Sequence, residues 1–139
     1  MKLNPDCIRA TMLEIEKSHS YYLDDEGNVT MDTLSLDSIA ESLPKYSKED
    51  IYYALFNLEQ AGYINLTTRW SGGSVYICHV NYMTFHGHEF LNSIRDAKHW
   101  SAIKSGLSAL GNFSLAAISA FAEGIGNAAI SKIVSESGL

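Results

Sequence analysis

The chain has few of the residues that build disulfide frameworks or metal clusters. It contains two cysteines in 139 residues, Cys7 and Cys78, which stand far apart and form no CxxC pair. Two such cysteines make neither a disulfide framework nor a thiolate zinc site. We therefore expect a cytoplasmic protein that folds around a hydrophobic core and carries no metal and no cofactor.

Long apolar runs are also missing. The first residues include charged side chains before any apolar stretch develops, which argues against a secretory signal. The longest uncharged run, from Ser105 to Ala122, is interrupted by serines, glycines and an asparagine and is too polar for a convincing membrane span. We expect no membrane association.

Positive charge is scarce as well. Ten Lys and Arg residues against 16 Asp and Glu residues give a formal net charge of -6. A negative field of this kind repels phosphate backbones and anionic lipids on average. Any contact with nucleic acid must therefore come from a local basic patch.

What the chain does contain is enough apolar residues, 46% of the total, to fill the core of one domain. The segment Asn4–Asp6 combines an N-cap residue, a proline and a carboxylate, which favours a helix running to about Lys17. Residues 24–28 then form a turn, and a short strand follows around Val29.

Two helices are predicted next. The spacing of apolar residues from Leu36 to Leu43 indicates a short helix that ends before Pro44. Ser47 and Asp50 resemble a capping box, which opens a stronger helix that runs to Ala61.

A β-hairpin and a further helix complete this series. Residues 63–70 and 74–80 are rich in β-branched and aromatic side chains and are joined by Ser71–Gly73, as in a hairpin. A continuous helix is expected from Thr84 to near Gly106, and we interpret His88 and Glu89 as residues that bond to backbone groups at its start.

The order of helix, short strand, helix, helix, hairpin and helix is that of a winged helix, an α+β fold in which the hairpin is the wing. We predict a winged-helix domain over residues 1–105 and a helical tail over residues 106–139. A helix in the tail would be apolar around most of its circumference and would need a partner surface. It packs either on its own domain or on a second copy. For a homo-oligomer, the candidate interface residues are Leu110, Phe113, Leu115, Ile118 and Phe121.

Three stretches carry a resemblance to a known family. The opening MKLNPDCIR, the segment YYALFNLEQAGYI, and GHEFLNSIRD followed by Trp100 resemble a family of bacterial and prophage proteins classified only as a domain of unknown function. The resemblance covers Met1 to about Lys104. It implies a winged-helix-like fold and a phage or mobile-element context, and it brings no established activity.

The predicted helix from Ser47 to Ala61 occupies the position of a recognition helix, and the hairpin adds groups at its tip. Two partners are open, DNA and another protein. DNA binding requires basic residues on these elements, and few are present. Docking of a protein would use the aromatic groups instead. The candidate binding residues are Lys48, Tyr52, Tyr53, Phe56, Asn57, Arg69 and Trp70.

Other chemistry finds little support in the pattern of residues. His86 and His88 lack the i, i+4 spacing that presents two imidazoles to one metal ion. No serine lies in a glycine elbow, and Cys78 falls in a half-buried strand. We therefore expect a non-enzymatic regulator that binds DNA or, alternatively, an adaptor that binds a protein and oligomerises through its tail.

Overall fold

The computed structural model describes residues 1–124, and this part of the chain is a mixed α+β protein with six helices and two small antiparallel sheets. The helices are α1 (Pro5–Ser18), α2 (Leu36–Ser42), α3 (Lys48–Gln60), α4 (Phe85–Ile94), α5 (Ala97–Leu110) and α6 (115–124). The strands are β1 (Ser20–Leu23), β2 (Val29–Asp32), β3 (Leu34–Ser35), β4 (Ile64–Ser71) and β5 (Ser74–Met83).

The helix starts depend on local caps that the sequence predicted. The side chain of Asn4 accepts a hydrogen bond from the Cys7 amide at 3.2 Å, and that of Ser47 accepts one from the Asp50 amide at 3.1 Å. Each cap satisfies an amide that has no partner within its helix. The starts of α1 and α3 are confirmed as predicted.

One core joins α1, α2 and α3 to the larger sheet. α3 packs against α1 and α2, and β4 follows it directly. The side chains that share this core are fully or almost fully buried and include Ile8, Met12, Ile15, Ile39, Ile51, Leu55, Leu58 and Val80. Burying these side chains is the main favourable contribution to folding.

The larger sheet contains the predicted hairpin. β5 lies in its centre and pairs antiparallel with β4 on one side and with β3 on the other. The turn between β4 and β5 uses Gly72 and Gly73, both with positive φ, a conformation that L side chains rarely adopt. Residues 71–74 therefore form a tight tip at the end of two long strands.

A second hairpin was predicted only in part. The short strand around Val29 is present as β2, but it pairs with a strand that the sequence did not predict, β1. Residues 24–28 turn between them, with Gly27 at positive φ. We call this hairpin, residues 20–32, the β1–β2 ribbon.

The expectation of one continuous helix from Thr84 to Gly106 is wrong. Helix α4 ends at Ile94, and Asp96 caps the start of a new helix, α5, by accepting a hydrogen bond from the His99 amide at 3.0 Å. At the break, Arg9 donates to the carbonyl oxygens of Ile94 and Arg95 at 2.9 and 2.7 Å. The side chain from α1 thus satisfies carbonyls that the end of α4 leaves without partners.

The last described helix lies on the same core. α5 continues past Gly106 to Leu110, so the predicted boundary between residues 105 and 106 falls inside a helix. In α6, Ile118 and Ala122 are buried, and the ring of Phe121 lies against Gly106, where a larger residue would collide with it. The division into a domain and a tail stays a prediction, and its residues 125–139 lie outside the described range.

Candidate functional site

The exposed side of α3 meets the β4–β5 hairpin through an aromatic pair. The rings of Tyr52 and Trp70 are in edge contact, with centroids 6.0 Å apart and planes at 79°. Phe56 lies one helical turn after Tyr52 and is 42% exposed, while Trp70 is 57% exposed. We call Tyr52, Phe56 and Trp70 the aromatic surface.

Lys48 was predicted as a binding residue, and in the structure it forms an ion pair with Asp37. Its ammonium lies 2.5 Å from a carboxylate oxygen of Asp37, at the start of α2. The hydrogen bond to Asp37, together with the charge of that residue, raises the pKa of Lys48. This pair is exposed, so it is screened by solvent, but it offsets the local positive charge of the lysine.

Tyr53 and Asn57 lie apart from the aromatic surface. They line a hollow of about 370 Å³ together with the first residues of the chain, the connection between α5 and α6, residues 111–114, and the first residue of α6. The Asn57 side-chain amide also donates to the carbonyl of Tyr53 at 2.8 Å. The structure therefore divides the predicted binding residues between two flanks of α3.

Arg69 is exposed on β4 and donates to the neighbouring carbonyl of Thr68 at 2.9 Å. Lys48 and Arg69 are the two Lys or Arg residues of segment 47–80, which also contains Glu49, Asp50 and Glu59. The predicted recognition helix and hairpin thus carry a small excess of negative charge. Phosphate binding would require the opposite sign.

A cleft of about 270 Å³ opens beside the aromatic surface, between the starts of α2 and α3 and strand β5. Its lining includes Lys48, Asp37, Cys78 and Tyr76, and Tyr76 is an exposed aromatic residue that the sequence analysis missed. The sequence did not indicate that Tyr76 is exposed, because its exposure depends on the pairing of β4 with β5. Arg69 pairs with Ile77 and Trp70 pairs with Val75, so a bulge leaves Tyr76 without a partner residue on β4.

Cys78 has the environment of a structural thiol. Burial is the main cause that raises its pKa, the charges of Glu59 and Asp37 raise it further, and Lys48 lowers it; the pKa reaches about 11. The thiol is consequently protonated at neutral pH. A nucleophilic cysteine requires the thiolate form.

The histidine-rich segment occupies the end of β5 and the first turn of α4. The side chain that caps α4 belongs to Thr84, which accepts a hydrogen bond from the Gly87 amide at 3.1 Å. We expected His88 and Glu89 to bond to backbone groups at this helix start; in the described residues the Thr84 side chain makes such bonds instead, to the Gly87 amide and to the Gly62 carbonyl. Residues 1–124 contain no group of three or more His, Cys, Asp or Glu side chains arranged to hold a metal ion.

The residues predicted for an oligomer interface differ in exposure. Leu110 is largely exposed and Phe113 lies at the border of exposure, whereas Ile118 is fully buried in the core of its own chain. Leu115 and Phe121 are partly buried against that core. Within the described range, no helix combines the length and hydrophobicity that a membrane crossing requires.

These features define a small α+β protein with an exposed aromatic surface beside a helix and a hairpin. A sequence model of the family described as "Hypothetical protein (DUF2513)" matches residues 2–112, and the chain belongs to this family. The resemblance seen in the sequence motifs is confirmed to that extent. Comparison with curated proteins and with solved structures found no match.

Proposed function

We propose that the chain is a non-enzymatic winged-helix adaptor that docks a protein partner on its aromatic surface. In this arrangement α2 and α3 form the helix-turn-helix and the β4–β5 hairpin is the wing. The contact between α2 and α3, and the aromatic contact between α3 and the hairpin, support that assignment. Cys78, with its protonated thiol, supports a role without nucleophilic catalysis.

The exposure of the aromatic surface is the observation that carries the proposal. Phe56 and Trp70 are large apolar side chains that leave about half of their area in water. Such groups are enriched at the centres of protein interfaces, where a partner removes them from solvent. The edge contact between Tyr52 and Trp70 restricts both rings, which lowers the entropy that a partner's binding would cost.

Charge favours a protein over DNA as the partner. Segment 47–80 has two Lys or Arg residues, and one of them, Lys48, is paired with Asp37. Glu49 and Glu59 flank the aromatic surface on α3. The matching partner is therefore an apolar protein segment that also carries Lys or Arg, because opposite charges at the rim speed and orient association.

Selection from a random peptide library on the immobilised full chain tests this proposal. We expect enriched peptides to combine an aromatic or aliphatic residue with Lys or Arg. Their affinity should fall about tenfold or more in Trp70→Ser, since a central aromatic side chain contributes about 1.4 kcal/mol or more to an interface. A mixed-sequence DNA duplex serves as the competing ligand.

The proposal fails if no peptide is enriched, or if the enriched peptides bind Trp70→Ser as well as they bind the original chain. It also fails if the duplex binds more tightly than any peptide and loses affinity steeply as salt rises, which is the behaviour of a DNA-binding protein.

A further inference from the structure

The β1–β2 ribbon stands away from the rest of the molecule. Its two strands make their extensive contacts with each other, and neither makes more than slight contact with another described element. All four residues of β1 are exposed. An isolated two-stranded hairpin is at best marginally stable in water, so a ribbon of this kind gains stability from a partner.

The side chains of the ribbon are unusually apolar for such an exposed position. Leu23 is 68% exposed and its cross-strand neighbour Val29 is 73% exposed, and Tyr21 and Tyr22 are exposed beside them. Edge strands that remain in solvent are normally protected by charged residues, proline or a bulge. The sequence of β1, SYYL, contains none of these, and its pairing with β2 is regular.

One edge of β1 is available for pairing. The Asp24 amide donates to the carbonyl of Asn28 at 2.9 Å, and hydrogen-bonded and non-bonded pairs alternate along an antiparallel ladder. The peptide groups of Ser20 and Tyr22 therefore bond to β2, while those of Tyr21 and Leu23 face away from it. Within residues 1–124, β2 is the one strand that pairs with β1.

We propose that β1 pairs antiparallel with β1 of a second copy, which joins two ribbons into one four-stranded sheet. The outward peptide groups of Tyr21 and Leu23 form the new ladder, as in other cases of strand addition. A two-fold axis through the ladder makes the interface self-complementary. Tyr22 then faces its counterpart across the axis and Tyr21 faces Leu23 of the second copy, and aromatic pairs of this kind stabilise sheets.

Charge complementarity singles out a second copy as the occupant. Antiparallel pairing moves the acidic turn of one copy, Asp24 to Glu26, toward the residues that precede β1 in the other. These include Lys17, which is exposed at the end of α1 and makes no ion pair with another described residue. Parallel pairing would instead place the two acidic turns side by side, where like charges repel.

A hollow at the base of the ribbon lies where the acidic turn would arrive. It has a volume of about 250 Å³, and its lining includes His19, His88 and Glu16. The Nε2 atom of His19 is buried and has no hydrogen-bond partner within the described residues. The carboxylate of Glu16 is already held by two hydrogen bonds from Arg95, at 2.8 and 2.5 Å. A carboxylate from the second copy would give the buried imidazole a partner.

Two proline variants of the full chain, studied by sedimentation equilibrium, test this interface. Leu23→Pro removes an outward amide from the proposed ladder and leaves the bonds between β1 and β2 intact. Val29→Pro is its matched control, because it removes the outward amide of the directly opposite residue, on the other edge of the ribbon. At about 50 µM we expect a dimer for the original chain and for Val29→Pro, and a monomer for Leu23→Pro.

Three results would overturn the proposal. The first is a monomeric original chain at about 500 µM, ten times the concentration used above. The second is loss of the dimer in both proline variants. The third is a dimer that survives Leu23→Pro and disappears in Leu110→Ser, which would locate the interface on the tail instead.

A charge reversal tests the antiparallel orientation separately. Lys17→Glu should weaken the dimer about three- to fivefold, in keeping with an exposed ion pair, and a second change of Glu26→Lys in the same chain should restore it. Circular dichroism confirms that each variant is folded. Equal association constants for the original chain and Lys17→Glu would contradict the proposed orientation.

Discussion

Gly87 fixes the position at which α4 meets the end of α3. A side chain at this residue would collide with the backbone carbonyl of Tyr63 and with the side chain of Met83. The same carbonyl accepts the amide of Thr84 at 3.0 Å, and the Thr84 hydroxyl donates to Gly62 at 2.6 Å. The start of α4 is thus hydrogen-bonded to, and closely packed on, the backbone of Gly62 and Tyr63.

We expect Gly87→Ala to lower the free energy of unfolding by about 2–3 kcal/mol, because the added methyl group meets backbone and not a flexible side chain. Urea unfolding at pH 7 measures this change in the free energy of unfolding. Gly124→Ala is the control, since no atom of residues 1–124 lies within 4 Å of the added atom there. Equal stabilities of the two variants would show that α4 can shift without cost.

Among single residues, the sequence predicted the roles of those whose partners lie a few positions away in the chain. Ser47 was assigned as a cap because its partner, the Asp50 amide, is three residues away. Helix geometry turns Tyr53 about 100° away from Tyr52, but its neighbours could not be predicted, because they come from the connection between α5 and α6, over 50 residues further along the chain. Which segments contact each side of a helix is decided only by the tertiary fold.

Among the elements, α1 and α5 are joined by a polar link through Asp6. Its carboxylate accepts a hydrogen bond from the indole of Trp100 at 2.9 Å and forms an ion pair with Lys104 at 3.1 Å. Burial alone would raise the pKa of Asp6, but the hydrogen bonds from Trp100 and Lys104 and the nearby lysine charges outweigh burial, so the pKa lies below its ordinary value of 3.8.

A lowered folded-state pKa makes this link dependent on pH. Its contribution to stability is present in full above about pH 5 and is lost as the pH falls through 3.8 toward the folded-state value. We expect Asp6→Asn to cost about 0.5–1 kcal/mol at pH 7, a small value because the pair is partly exposed, and almost nothing at pH 2–3. Urea unfolding at both pH values checks this. An equal loss of stability at pH 7 and at pH 2–3 would contradict the role assigned to the Asp6 charge.

The elements missed from the sequence share a physical cause. β1 has no alternation of apolar and polar residues because both of its faces are exposed, so the period of two that marks a half-buried strand is absent. The break between α4 and α5 was hidden for a different reason: Ala97 continues the apolar spacing of Phe90, Leu91 and Ile94 across it, although Ala97 is exposed in the structure. Asp96, an N-cap residue, was the signal that could have revealed the break.

For the whole molecule, charge distribution could be predicted from the sequence and the arrangement of surfaces could not. The deficit of Lys and Arg in segment 47–80 is visible in the sequence, and the structure adds that Lys48 is paired with Asp37. Packing of α6 on the core was one of two alternatives that the composition of the tail left open, and the burial of Ile118 depends on contacts between distant segments. We assign two of the exposed apolar regions of residues 1–124, the aromatic surface and the β1–β2 ribbon, to different partners.

Two matched serine variants test the central claim, that the aromatic surface docks a protein partner. Phe56 lies on that surface, and Phe85 is an equally large and more exposed residue at the start of α4. Isothermal titration with an enriched peptide should show about a tenfold or greater loss of affinity for Phe56→Ser and less than about a twofold change for Phe85→Ser. Equal losses for the two variants, or no loss for Phe56→Ser, would contradict the account.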